Sequence, residues 1–148
     1  MTLSRFIKGW ILSFVLFSLL DGVWHAGVMA AFYNERLALM NPGLSGPPAF
    51  GPLLLALEAL NAAAITVFVL KTASAKNALG DGAWIGAFLG LTVSGTLNGL
   101  NHILVPAWDA TLAMVDTAWG TVVGLIVGIA VAALCCETRH GWFKWLRK

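Results

Sequence analysis

Residues Ala110 to Cys136 read ATLAMVDTAWGTVVGLIVGIAVAALCC, and Asp116 is the one charged side chain among them. A helix needs about 20 mostly apolar residues to cross the hydrocarbon of a bilayer. This run exceeds that length, so it reads as a membrane span. Three further runs before it qualify: about Gly9 to Phe32, Pro52 to Leu70 and Gly82 to Val105. Hydrophobic residues make up 59% of the 148 and charged residues 11%, with a mean hydropathy of +0.82. A soluble domain carries about 25% charged residues, so this chain lacks the polar surface to face water. The reading is all-α: one four-span transmembrane domain over residues 1–148, folded as a four-helix bundle.

The segments between the spans agree with it. Residues 41–52 hold four prolines and three glycines, which predicts an irregular loop. Lys71 to Asp81 is short and polar. Pro106 to Asp109 is a tight turn, and Asp109 is placed to cap the last helix by accepting from its free N–H groups.

Orientation follows from the basic residues, which favour the cytoplasmic side. Arg5 and Lys8 precede the first span, Lys71 and Lys76 join the second to the third, and Arg139, Lys144, Arg147 and Lys148 follow the fourth. Of the nine Lys and Arg, Arg36 alone falls on the other side. Both termini are therefore expected in the cytoplasm, with Trp142, Phe143 and Trp145 as an interfacial anchor. Arg5 and Lys8 also resemble the charged start of a cleaved signal peptide. Asp21 and His25 interrupt that pattern, and the apolar stretch is long for one, so the first span is read as retained. The net charge of +2 gives no reason to expect nucleic acid. Cys135 and Cys136 are adjacent and too few for a disulfide framework; they read as small helix residues.

Gly82, Gly86, Gly90 and Ser94 recur at steps of four in the third span, and Gly120, Gly124, Gly128 and Ala132 do so in the fourth. Residues four apart share a helix face. In lipid, small residues let helix backbones approach closely, so these two spans are expected to pack through the two stripes.

The polar residues are distributed unevenly. The first span carries Asp21, Trp24 and His25, the second Glu58 and Asn61. The third carries Asn98, Asn101 and His102, the fourth Asp116 and Trp119. At about 1.5 Å per residue and with alternating directions, all fall between mid-membrane and the external side. A charge at the centre of a span costs about 2.5–3.5 kcal/mol on insertion scales. These groups should therefore face inward, around a polar cavity open to the outside. The asparagines also read as interhelical hydrogen-bond glue, the tryptophans as packing, and Glu58 as simply solvated. Asp21 and Asp116 are the deepest charges.

Asp21-Gly22-Val23-Trp24, Phe32-Tyr33 and Val115-Asp116-Thr117-Ala118-Trp119-Gly120-Thr121 resemble the recurring segments of a family of four-span bacterial membrane proteins, known only as predicted membrane proteins with a domain of unknown function. The likeness runs from about Leu20 to Gly128. That family shows an acid three residues before an Asn in its third span; here Asn98 stands in the acid's place and Asn101 matches the Asn. The resemblance implies a multi-pass protein of the bacterial inner membrane and supplies no activity.

Four functions compete on these residues. The leading one is binding, or transport, of a small ligand or proton, with Asp21, His25 and Asp116 as contacts or proton acceptors. A carrier of this size without an inverted repeat would work as a homodimer. The second is metal or haem binding through His25 and His102. The third is a lipid- or isoprenoid-modifying enzyme using acid–base chemistry. The fourth is an accessory subunit of a larger membrane complex. No motif specifies a reaction, and the cofactor is left unknown.

Overall fold

The structure, a computed structural model, describes residues 1–40 and 52–136. The expected loop from Asn41 and the anchor of Trp142, Phe143 and Trp145 lie outside the described residues. Five α-helices follow one another: α1 (Leu3–Val23), α2 (Ala30–Met40), α3 (Pro52–Thr72), α4 (Ala78–Leu104) and α5 (Ala110–Cys135). No strand occurs among the described residues. Four helical segments are long and apolar enough to cross a membrane: Leu3–Val28, Leu54–Thr72, Ala78–Leu104 and Ala110–Cys135.

The long helices run alternately up and down. Their outward surface is apolar, with Leu19, Leu60, Ile103 and Met114 exposed, as a bundle surrounded by hydrocarbon requires. The interior holds Phe17, Ile65, Val69, Val123, Val127 and Val131. Helix α5 touches each of the other three long helices.

The glycine stripes bring α4 and α5 into the closest contact between helices among the described residues. A Cβ added at Gly82, Gly86 or Gly90 would collide with the carbonyl oxygen of Gly128, Gly124 or Gly120 respectively. The register advances four residues on α4 for every four back on α5, so the two helices lie antiparallel with backbone against backbone. The expected pairing of these stripes is what is found. The short Pro106–Asp109 connection makes it easy, because the two helices are sequence neighbours.

The turn itself is fixed by its cap. Asp109 Oδ1 accepts the backbone N–H of Leu112 at 2.8 Å, and its Oδ2 accepts Arg36 Nε–H at 3.1 Å. Arg36 also lies 3.7 Å above the Phe32 ring. These contacts tie α2 to the start of α5. Helix α1 meets α3 through Ser13 and Thr66, whose hydroxyls are 3.0 Å apart and fully buried, and through Trp10 Nε1–H, which donates to the Ala59 carbonyl at 2.8 Å.

Between α1 and α2 the chain makes one wide, π-helical turn over Trp24–Val28, closed by Met29 N–H donating to the Trp24 carbonyl at 2.8 Å. Such turns carry one extra residue and often mark functional sites. The extra residue changes what faces the bundle. An unbroken α-helix would leave Tyr33 about 120° round from Asp21, whereas one inserted residue returns it to within about 20°.

Candidate functional site

Asp116, on the second turn of α5, is the hub. Its Oδ1 accepts the Tyr33 hydroxyl at 2.5 Å and faces His25 Nε2 at 3.2 Å; its Oδ2 accepts Asn98 Nδ2–H at 3.3 Å. Three elements thus converge on one carboxylate: the π-helical turn, α2 and α4. His25 and Asp116 are each about one-fifth exposed. Asn98 is buried and anchored twice more, donating to the Ser94 carbonyl at 2.9 Å and accepting Trp108 Nε1–H at 3.2 Å.

The proton inventory of the His25–Asp116 pair follows from geometry. His25 Nδ1 lies 2.9 Å from the carbonyl oxygen of Asp21. A carbonyl only accepts, so Nδ1 carries a hydrogen. Nε2 then faces a carboxylate oxygen. Two lone pairs at that distance repel, so one proton lies between Nε2 and Oδ1. Either an imidazolium donates it to the carboxylate or a carboxyl donates it to the imidazole.

A second carboxylate stands beside this one. Asp21 Oδ1 accepts Trp119 Nε1–H at 2.7 Å, and Asp21 is within electrostatic reach of both Glu58 and Asp116. The Trp119 ring stacks on Trp24 with centroids 4.2 Å apart and planes 6° from parallel. Trp24 Nε1–H in turn donates to the Tyr33 oxygen at 3.2 Å. The indoles of Trp24, Trp108 and Trp119, which read as packing in the sequence, each deliver their N–H to this network. Trp84, by contrast, lies exposed on α4.

Glu58 corrects the expectation of a solvated side chain. It is 5% exposed. Its Oε2 accepts the Ser18 hydroxyl at 2.6 Å, while Oε1 is buried with no hydrogen-bond partner. Asn61, one turn further along α3, lines a cavity of about 40 Å³ together with Phe17, Ser94 and the α4–α5 glycine seam. Asn101 is partly exposed and stands outside the network.

His102 and His25 occupy different surroundings. His102 is exposed, with Nδ1 2.7 Å from the Trp108 carbonyl. Both ring nitrogens of His25 are already engaged, with Asp21 and Asp116. Among the described residues no group of three or more His, Cys, Asp or Glu side chains is arranged to hold a metal ion. Cys135 and Cys136 are both free of any disulfide.

The structure thus brings together Asp21, Trp24, His25, Asn98, Asp116 and Trp119 from the sequence-derived set. It adds three residues that set did not include: Tyr33, Trp108 and Ser18. Tyr33 had one signal, being the single tyrosine among eight phenylalanines and seven tryptophans. Burial and the charge of Asp116 push its phenol well above the ordinary value near 10.

No curated protein and no solved structure matches this chain. Residues 6–133, however, match the family described as Predicted membrane protein (DUF2177), and the chain belongs to that family.

Proposed function

We propose that this multi-pass membrane protein accepts and releases a proton at the His25–Asp116 pair, in a site that faces the external side and serves a small ligand. One observation carries the reading: His25 Nε2 lies 3.2 Å from Asp116 Oδ1, an approach that calls for a proton between them. A proton between an imidazole and a carboxylate moves with little rearrangement, and ionisable residues inside a membrane mark ion and proton paths. Both partners are partly exposed, so water or a ligand can reach them. The Tyr33, Asn98 and His25 donors hold the carboxylate fixed. The opposite half of the bundle is closed in this conformation by Val123, Val127 and Val131, none of them exposed, so passage of a proton across the membrane requires that half to open.

The orientation in this proposal rests on the basic residues. Arg5, Lys8, Lys71 and Lys76 occupy the end of the bundle opposite the site, which the positive-inside tendency assigns to the cytoplasm. Under that assignment the protein resides in a bacterial inner membrane with the site near the outer leaflet.

The test is proton exchange in vesicles. The purified chain is reconstituted with an entrapped pH-sensitive dye, and the internal pH is followed after an external pH jump. Wild-type vesicles should equilibrate faster than empty ones, while Asp116→Asn and His25→Gln vesicles should match the empty control. Equal rates for wild type and Asp116→Asn would remove the reading.

A further inference from the structure

We propose that Asp21 and Glu58 bind a small protonated amine. The inference rests on the reading of this cluster as a ligand site and names the ligand's chemistry. It begins from charge and hydrogen-bond accounting. The proton between them satisfies His25 and Asp116. Asp21 and Glu58 then receive only neutral donors, the Trp119 indole and the Ser18 hydroxyl. The described basic side chains do not help: Arg5, Lys8, Lys71 and Lys76 lie at the far end, and Arg36 is paired with Asp109.

Glu58 makes the deficit specific. Its Oε1 is buried and unpartnered in a residue that is 95% covered, being 5% exposed. A buried acceptor left unpaired has lost the hydrogen bonds that water gave it, a loss that is greater when the group is charged. Ser18, from α1, donates to this carboxyl, and Asp21, also from α1, lies within electrostatic reach of it. Neither is a cation. A cation donor is the missing complement.

The choice of an amine follows from shape and surroundings. No three acidic or imidazole side chains among the described residues are arranged around a common metal position. An ammonium needs no such sphere, because its three hydrogens point to separate acceptors. Asn61 and Ser94 edge a cavity of about 40 Å³ next to this level. On that measure a water needs about 10–15 Å³, so this cavity, one turn along α3 from Glu58, has room for an ammonium head.

The experiment uses the whole chain in detergent at neutral pH, buffered with a bulky inert cation. Ethylammonium chloride and sodium chloride are titrated separately, by calorimetry and by the rate at which a hydrophobic carbodiimide labels Glu58. Ethylammonium should release saturable heat and slow labelling about tenfold or more. Glu58→Gln should abolish the heat, and Ser18→Ala, which keeps the carboxylate, should weaken it. No ethylammonium heat in the wild type overturns the proposal. So does a response to sodium alone, or undiminished heat in a folded Glu58→Gln protein. If these failures occur while Asp116-dependent proton exchange persists, the amine site falls and the His25–Asp116 reading stands.

Discussion

Tyr33 and Asp116, 83 positions apart in the chain, meet in a hydrogen bond of 2.5 Å from the phenol to the carboxylate. The contact joins α2, which follows the wide turn, to the second turn of α5. It also links the two halves of the site, because the same phenol oxygen accepts the Trp24 indole N–H.

Replacing Tyr33 with Phe should keep the ring against His25, whose centroid is 4.5 Å away, and remove the bond to Asp116 together with the acceptor of the Trp24 indole N–H. Hydrogen bonds to charged groups contribute about 1.5–3 kcal/mol. The variant should lose stability on that order in thermal unfolding in detergent. Hydrogen exchange should accelerate in α2 before it does in α3.

The phenol also reports its own environment. Since Tyr33 is the single tyrosine, absorbance of tyrosinate reads it alone. Burial first and Asp116 second raise its pKa above 10. A raised pKa means that this group's contribution to stability is intact below about pH 10 and is lost as pH climbs through the folded value. Tyrosinate should therefore appear later in the folded protein than in urea-unfolded chain, and the difference should shrink in Asp116→Asn.

The glycine seam predicts a sharp contrast between neighbours on α4. Gly86→Ala places a methyl group inside the Gly124 carbonyl, and backbone cannot step aside as a side chain can. Overpacking of this kind costs about 1–3 kcal/mol or more. Gly99→Ala meets nothing within 4 Å and should be neutral or stabilising by up to about 1 kcal/mol, from helix propensity. Melting temperatures of the two variants should separate accordingly.

At the turn, Asp109 is held below the ordinary carboxylate range by the Leu112 N–H it accepts, and further by Arg36. A lowered pKa contributes stability that is present above about pH 4 and fades as pH falls through the folded value. Asp109→Asn keeps a capping side chain but cannot titrate. It should flatten the acid limb of the melting temperature against pH, because the neutral-pH value falls toward the acid one.

Trp119→Phe isolates the role of one indole. A phenyl ring still packs on Trp24, but Asp21 loses its donor at 2.7 Å. Stability should fall by about 1–2 kcal/mol, and near-ultraviolet dichroism from the Trp24–Trp119 stack should vanish.

Much of this protein was legible before any coordinates. Four apolar runs, the Asp109 cap and the matched glycine periods follow from one-dimensional rules. Span length, helix termini and four-residue spacing are local properties of a chain in oil. The gathering of Asp21, His25, Asn98 and Asp116 was legible too, because no ionisable group tolerates hydrocarbon alone. What only the tertiary structure decided was the identity of the partners. A single wide turn at Trp24–Val28 swung Tyr33 onto Asp116, and close α1–α3 packing buried Glu58 against Ser18. Both depend on rotation about a helix axis and on distances between helices, which sequence spacing does not encode.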